Sequence, residues 1–372
     1  MDLTSFLSEM VRRSASDLFI TAGVAPSFKI NGKVVPIAQG RFTQEEARDA
    51  VHGIMNSKQR QEFEATQECN FAIHRQDIGR FRVNVFQQQG HVGMVVRRIE
   101  TKIPTFEQLN LPPLLKDLAL TKRGLIIVSG ATGSGKSTSL AAMIGYRNKY
   151  TNGHIVTIED PIEFIHAHAG CIVTQREVGI DTQSFESALK NTLRQAPDVI
   201  TIGEIRSREV MEHAIAFAET GHLCLATLHA NNANQVLDRI VNFFPRDRRD
   251  QLLMDLSLNL RAVLSQRLIP TPDGHGRRAA VEVLINTPLV ADLILRGENH
   301  LLKDLMKKSS QHGMKTFDHA LYELYSQGEI TYEDAISHAD SANEVRLMVK
   351  LSVGEIPAAR NFTLESAEDL NS

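Results

Sequence analysis

Three stretches of the chain carry residue types at spacings that could do chemistry. Gly130 to Ser137 reads GATGSGKS, a complete G-x-x-x-x-G-K-[ST] pattern. Glycines let such a backbone turn so that successive N–H groups face one anion, and a helix starting at the lysine adds its partial positive charge. Lys136 would neutralise the β- and γ-phosphates of a nucleoside triphosphate, and Ser137 would offer its hydroxyl to Mg²⁺. Gly130, Ala131, Thr132, Gly133, Ser134, Gly135, Lys136, Ser137 and Thr138 are therefore candidate ATP-binding residues. In the second stretch, DVITIGEIR (Asp198–Arg206), four β-favouring residues lead to Gly203 and Glu204. P-loop proteins pair the loop with an acidic strand that serves the metal. Gly203 stands where an Asp is usual, so Glu204 would reach Mg²⁺ through a water for which the glycine leaves room. The third stretch, VTIEDPIEF (Val156–Phe164), places Glu159, Asp160 and Glu163 within five positions after a β-like run. These carboxylates could be a metal site, an acid–base pair, or the start of a helix. Pro161 suits a first helical position, with Asp160 as N-cap and Glu163 close to completing a capping box.

Histidines and arginines add weaker signals. His222 and His229 bracket an apolar run, and their odd spacing puts them on opposite faces of a regular strand, which argues against one shared metal. His166 and His168 resemble a metal pair by type, but no third ligand is near them in sequence, and they read as loop residues. In RFRVNVF (Arg80–Phe86) the strand period sets Arg80 and Arg82 opposite Phe81, Val83 and Val85; Arg97 and Arg98 lie on a second strand. Taken alone, such arginines read as a solvated face.

The elements that must position these residues follow from periodicity. Residues 1–100 hold short alternating runs, DLFITA, SFKING, RFRVNVF and GMVVRRI, with a helix over Gln44–Met55 opened by Thr43 and an amphipathic helix at the start. This is an α+β pattern. Residues 101–113, rich in proline, read as a linker. Over 114–352 apolar strands alternate with amphipathic helices, which predicts an α/β domain with a mostly parallel sheet covered on both faces. Residues 353–372 read as a flexible C-terminal tail. The three cysteines are far apart and read as buried thiols, no apolar run approaches the ~20 residues of a membrane span, and the start lacks the pattern of a signal peptide. A cytoplasmic protein is expected. A net charge of −3 argues against a broad nucleic-acid surface.

With these motifs in order, the chain resembles the type II/type IV secretion and pilus ATPases. GATGSGKS, TIEDPIEF, VITIGEIR and AETGHLCLATLHANNA match that family's Walker A, Asp, atypical Walker B and His boxes. SASDLFITAG and GRFRVNVF resemble the N-terminal PAS-like domain of its pilus-retraction branch, and HANNANQVLDRIVNFFP with the acidic tail is most similar to the accessory retraction ATPases. The resemblance implies a RecA-like ATPase domain, a ring hexamer with nucleotide between N- and C-terminal domains, and a role in pilus retraction and twitching motility. Partners would be an inner-membrane platform protein and a paralogous retraction motor. It implies that Glu163 orients and deprotonates the attacking water, that Arg82 and Arg97 reach ATP from the N-terminal domain, and that His222 and His229 contact the γ-phosphate.

Overall fold

The computed structural model describes residues 3–30, 32–99, 102–309 and 313–353. The first unit comprises α1 (Leu3–Arg12), β1 (Asp17–Thr21), β2 (Ser27–Ile30), β3 (Lys33–Pro36), α2 (Gln44–His52), α3 (Ser57–Thr66), β4 (Glu68–Arg75), β5 (Gly79–Gln88) and β6 (His91–Ile99). Its strands form an antiparallel sheet ordered β3-β2-β1-β6-β5-β4. Alternation decides which face is covered. In β5, Phe81, Val83 and Val85 are fully buried beside Leu7, Met10 and Leu18, while Arg80 and Arg82 stay half-buried on the other face. Thr43 and Glu46 satisfy each other's backbone amides, so α2 opens on a full capping box. Arg82 lies directly across from Arg97, and Arg97 from Asp17, so the three form one row across the sheet.

The connection to the second unit is partly folded. Thr105 caps α4 (Phe106–Leu109), and Phe106 and Leu111 are buried against the helix that follows the P-loop. The residue Thr101, read as the start of a linker, and the tail 354–372 lie outside the described residues.

The second unit runs α5 (Leu114–Leu120), β7 (Gly124–Ser129), α6 (Lys136–Tyr150), β8 (Gly153–Glu159), β9 (Cys171–Glu177), α7 (Phe185–Thr192), β10 (Val199–Ile202), α8 (Arg208–Glu219) and β11 (Leu223–Leu228). It continues with α9 (Ala233–Phe243), α10 (Arg249–Asn259), β12 (Leu260–Pro270), β13 (Arg277–Ile285), α11 (Pro288–Leu295), α12 (Leu302–Lys308), α13 (Phe317–Ser326), α14 (Tyr332–Ser337) and α15 (Ala342–Val353). The sheet order is β13-β12-β7-β11-β10-β8-β9, parallel except for the β12–β13 pair. Leu125 and Ile127 point into the core beneath α7–α11, Ile126 and Val128 into the core beneath α5 and α6, so β7 is buried on both faces. The chain is thus an α/β protein with a RecA-like domain and a smaller α+β N-terminal domain. In a parallel sheet all strands end on one edge, and that is where β7, β8, β10 and β11 deliver Ser129, Glu159, Ile202 and Leu228.

Candidate active site

A cleft of about 460 Å³ opens at this edge, a size suited to a small ligand. The loop between β7 and α6 forms one wall. Gly130 has φ of +149°, and a Cβ there would fall 2.5 Å from the Gln266 carbonyl oxygen of β12, so only glycine lets the loop close down on its neighbour. Thr132, Gly133, Gly135, Lys136, Ser137 and Thr138 line the cleft, while Gly130 and Ala131 face a second hollow beside His229. The buried Ser134 hydroxyl has no partner among the described residues, and the amides that open α6 give the loop the donors an anion needs.

Lys136 donates to the carbonyls of Gly130 and Ala131 at 2.8 and 2.9 Å. Burial holds its ammonium below the usual lysine range, against the pull of Glu204 and Glu163. His229 ties the loop to the acidic strand: its Nε2 is 3.2 Å from Glu204 Oε1 and its Nδ1 is 3.5 Å from Lys136 Nζ. Its Nδ1 also lies 3.3 Å from the Gly130 carbonyl oxygen. The other oxygen of Glu204 receives Arg206 at 2.7 Å, which raises the guanidinium's proton affinity further. Gly203 lines the cleft beside Glu204, and its missing Cβ also matters for packing. A Cβ there would meet Glu159 Cα and the Ile158 carbonyl oxygen, each at 3.1 Å, so the glycine allows the end of β10 to close on the end of β8.

The Glu159–Glu163 stretch also departs from expectation. No helix follows Asp160, and the Asp160–Pro161 peptide is cis. The amides that a helix would use are taken by β9: Ile162 N–H goes to Glu177 Oε2 at 3.3 Å, His166 N–H to Gln175 Oε1 at 2.8 Å, and Gln175 Nε2 donates to the Phe164 carbonyl at 2.9 Å. The capping-box reading of Asp160 and Glu163 therefore fails: the Glu163 amide goes to Glu159, and the backbone groups around it go to β9. Glu159 is engaged structurally, accepting from Thr157 at 2.6 Å and Gln175 at 3.1 Å and from the Glu163 amide. Burial pushes its carboxyl up. Glu163 is exposed, lines the cleft and is free to act on a bound molecule. His168 anchors the loop by accepting the Val173 amide at 3.1 Å, whereas His166 is buried at the cleft wall, its pKa lowered to about 4 by burial.

Three expected residues lie elsewhere in this chain. His222 precedes β11, level with Gly124 at the opposite end of β7 from the P-loop, and its Nδ1 sits near Thr220 Oγ1 and the Phe217 carbonyl. Six rungs of ~3.3 Å put it about 20 Å from the phosphate loop, so the expected γ-phosphate contact of His222 is not made within one chain. Arg82 faces buried Glu177 at 3.9 Å and Arg97 binds Asp17 at 2.8 Å; neither lines the cleft. Sequence reasoning missed Glu177 and Gln175, which hold the Glu163 loop, and Arg277, which lines the cleft from β13. No local signal marks them, since β9 and the β12–β13 hairpin lack a motif.

The donor set fits MgATP. Among the described residues no three His, Cys, Asp or Glu side chains could hold a metal by themselves. Ser137 and Glu204 instead flank a cleft in which phosphates and water would complete an oxygen shell, as Mg²⁺ prefers.

Comparison with known proteins agrees with this fold. The profile of the Type II/IV secretion system protein family matches residues 1–312. The chain is 68% identical to the type IV pilus ATPase PilU of Pseudomonas aeruginosa over 94% of its length and 92% of that protein. It is 40% identical to the retraction ATPase PilT of the same organism, over 90% and 97% of the two chains. A crystal structure of the pilus retraction motor PilT with bound ADP superposes with a TM-score of 0.87 at 40% identity, covering 93% of this chain and 99% of that one. A crystal structure of the Legionella pneumophila ATPase DotB does so with a TM-score of 0.74 at 25% identity, covering 95% and 96%. Phosphate loop, acidic strand and histidine meet in one cleft, on a fold shared with PilT, and the chain belongs to the type II/IV secretion system protein family of ATPases.

Proposed function

We propose that the chain is a Mg²⁺-dependent ATP-hydrolysing motor subunit for type IV pilus retraction. The observation that carries this reading is the meeting of Lys136, Ser137, Glu163, Glu204 and His229 around one cleft, in a chain 68% identical to PilU. The P-loop amides and Lys136 bind the β- and γ-phosphates. Ser137 and, through water, Glu204 would hold Mg²⁺, which neutralises charge developing on the phosphoryl oxygens. Glu163 orients a water in line with the γ-phosphorus and takes its proton. His229 carries the state of the phosphate loop to Glu204 through its two ring nitrogens.

Arg82 and Arg97 share a row on the N-terminal sheet. They act on ATP once that domain moves, or from a neighbouring subunit of a hexameric ring. Motion of the domain then converts hydrolysis into work on an inner-membrane platform protein, with the chain peripheral to the membrane on its cytoplasmic side. The greater identity to PilU than to PilT supports a narrower version, an accessory ring that needs a PilT-like motor for force. The test is phosphate release by the purified chain with MgATP, alone and mixed with such a motor. Lys136→Ala should abolish both ATP affinity and turnover while the fold persists; unchanged affinity would sink the assignment.

A further inference from the structure

His229 enters the cleft from a turn, residues 229–233, that joins β11 to α9. Two polar side chains from the β12–β13 hairpin grip this turn. Glu282, buried in β13, accepts the Ala233 amide at 2.7 Å and also the amide of Phe317. These are the first residues of α9 and α13. Both helices already have a side-chain cap, Asn232 on α9 and Thr316 on α13. Those caps serve the amides of Gln235 and His319, so the Glu282 carboxyl takes the first amide of each helix and ties one helix to the other.

Arg267, on β12, performs a parallel service. It donates to the Asn231 carbonyl at 3.3 Å, to the His338 carbonyl at 2.6 Å and to Asp340 Oδ1 at 2.6 Å. Its guanidinium stacks 4.0 Å above the ring of Phe317. Lys303 bridges Asp340 and buried Asp318, 3.2 Å from each, and Asp318 accepts the amides of Asp340 and Ser341. Backbone pairing of Val283 with Lys315 straps the start of α13 to β13. Neither Glu282 nor Arg267 lines the nucleotide cleft. Burying the Glu282 carboxyl is costly, and an apolar residue would fill the same space with less penalty.

We propose that Glu282 and Arg267 are positioning residues for His229, fastening the 229–233 turn to the helical unit α13–α15. A displacement of that unit then moves His229 relative to Lys136 and Glu204. The C-terminal helices become a control surface for turnover: whatever binds or shifts them is felt at the phosphate loop. The path is short, from Asp340 through Arg267 to Asn231, two residues from His229, and from Phe317 through Glu282 to Ala233.

The inference rests on the ATPase reading of the cleft, and its test separates the two. The full chain carrying Glu282→Gln or Arg267→Lys is compared with the parent for steady-state MgATP hydrolysis and for amide hydrogen exchange. Gln presents one acceptor oxygen and an NH₂ where two amides converge, and Lys keeps the charge toward Asp340 but cannot span two carbonyls as well. Each variant should lower kcat by ~10-fold or more with KM within about threefold, the signature of a misplaced group rather than lost binding. Exchange should quicken over residues 229–236 and stay unchanged over 130–137. A kcat within about twofold of the parent would overturn the proposal, as would faster exchange spread evenly over the second unit, which marks a merely structural role. A parent chain that fails to hydrolyse ATP would refute the ATPase reading instead; exchange confined to 229–236 would then still support the tether, and its absence would overturn it.

Discussion

Glu163→Gln is the sharpest test of the cleft. Glu163 is exposed, and the contact that fixes it runs through its backbone amide to Glu159. With no helix after Asp160, its carboxylate caps nothing. An exposed substitution of this kind changes stability by less than about 0.5 kcal/mol. The amide cannot take up a proton near neutral pH, so loss of the general base should cost ~10²–10⁴ in turnover, about 3–5 kcal/mol of barrier. Glu159→Gln should behave in the opposite way. Glu159 accepts hydrogen bonds from Thr157, Gln175 and the Glu163 amide, and an amide in its place loses acceptor capacity at a nearly buried site. That variant should lose about 1–3 kcal/mol of stability, with a smaller fall in turnover. The assays are thermal melting, MgATP binding by calorimetry and phosphate release on the same preparations. If Glu163→Gln hydrolyses ATP near the parent rate while Glu159→Gln is folded and inactive, the assignment of the base is wrong and Glu159 takes its place.

Arg82→Ala should reduce turnover more than ATP affinity, and mixing it with Glu163→Gln should restore part of the activity if the arginine acts across subunits; no rescue at any ratio would rule out delivery in trans. His222→Ala should leave MgATP affinity within about twofold, because the ring is about 20 Å from the phosphate loop; a tenfold loss measured by calorimetry would contradict that placement. Burial raises the Glu282 carboxyl from 4.5 to about 7, with Asp340 adding to the rise and Lys303 and the Ala233 and Phe317 amides opposing it. The folded state therefore binds a proton that the unfolded state has released. This contribution is fully present below pH ~4.5 and is lost as pH rises through about 7, a decline of about 3 kcal/mol. Denaturant melts of the parent should show this decline more steeply than those of Glu282→Gln; equal slopes would refute it.

The parts of the site that were legible in sequence are those whose physics is local. The P-loop is one contiguous run because its amides must all face one phosphate group. The β5 alternation could be read because one face of the N-terminal sheet is buried and the other is not. The second sheet was visible as strand–helix alternation, since strands such as β7 and β11 are buried along their whole length. What failed depended on partners distant in sequence. Asp160, Pro161 and Glu163 have the local chemistry of a helix start, but Gln175 and Glu177 on the adjacent strand take the amides of Ile162 and His166 and the Phe164 carbonyl. The second reason for a glycine at position 203 was also invisible locally, since the backbone its Cβ would meet belongs to Glu159, 44 positions away.

The misread helix start has a cause that bears on how the site works. The ends of β8, β9 and β10 are packed so closely that Glu163 is carried on a segment with no secondary structure of its own, hung from Glu159, Gln175 and Glu177. Glu177 in turn faces Arg82 of the N-terminal sheet at 3.9 Å, and burial makes its charge costly unless an arginine is near. Withdrawal of the N-terminal domain therefore removes the arginine from a buried carboxylate that also holds the loop of the proposed base. A segment fixed by a helix would be indifferent to that withdrawal. One fixed by a buried carboxylate is not, and the loop of Glu163 is accordingly placed where domain motion and water activation can be coupled.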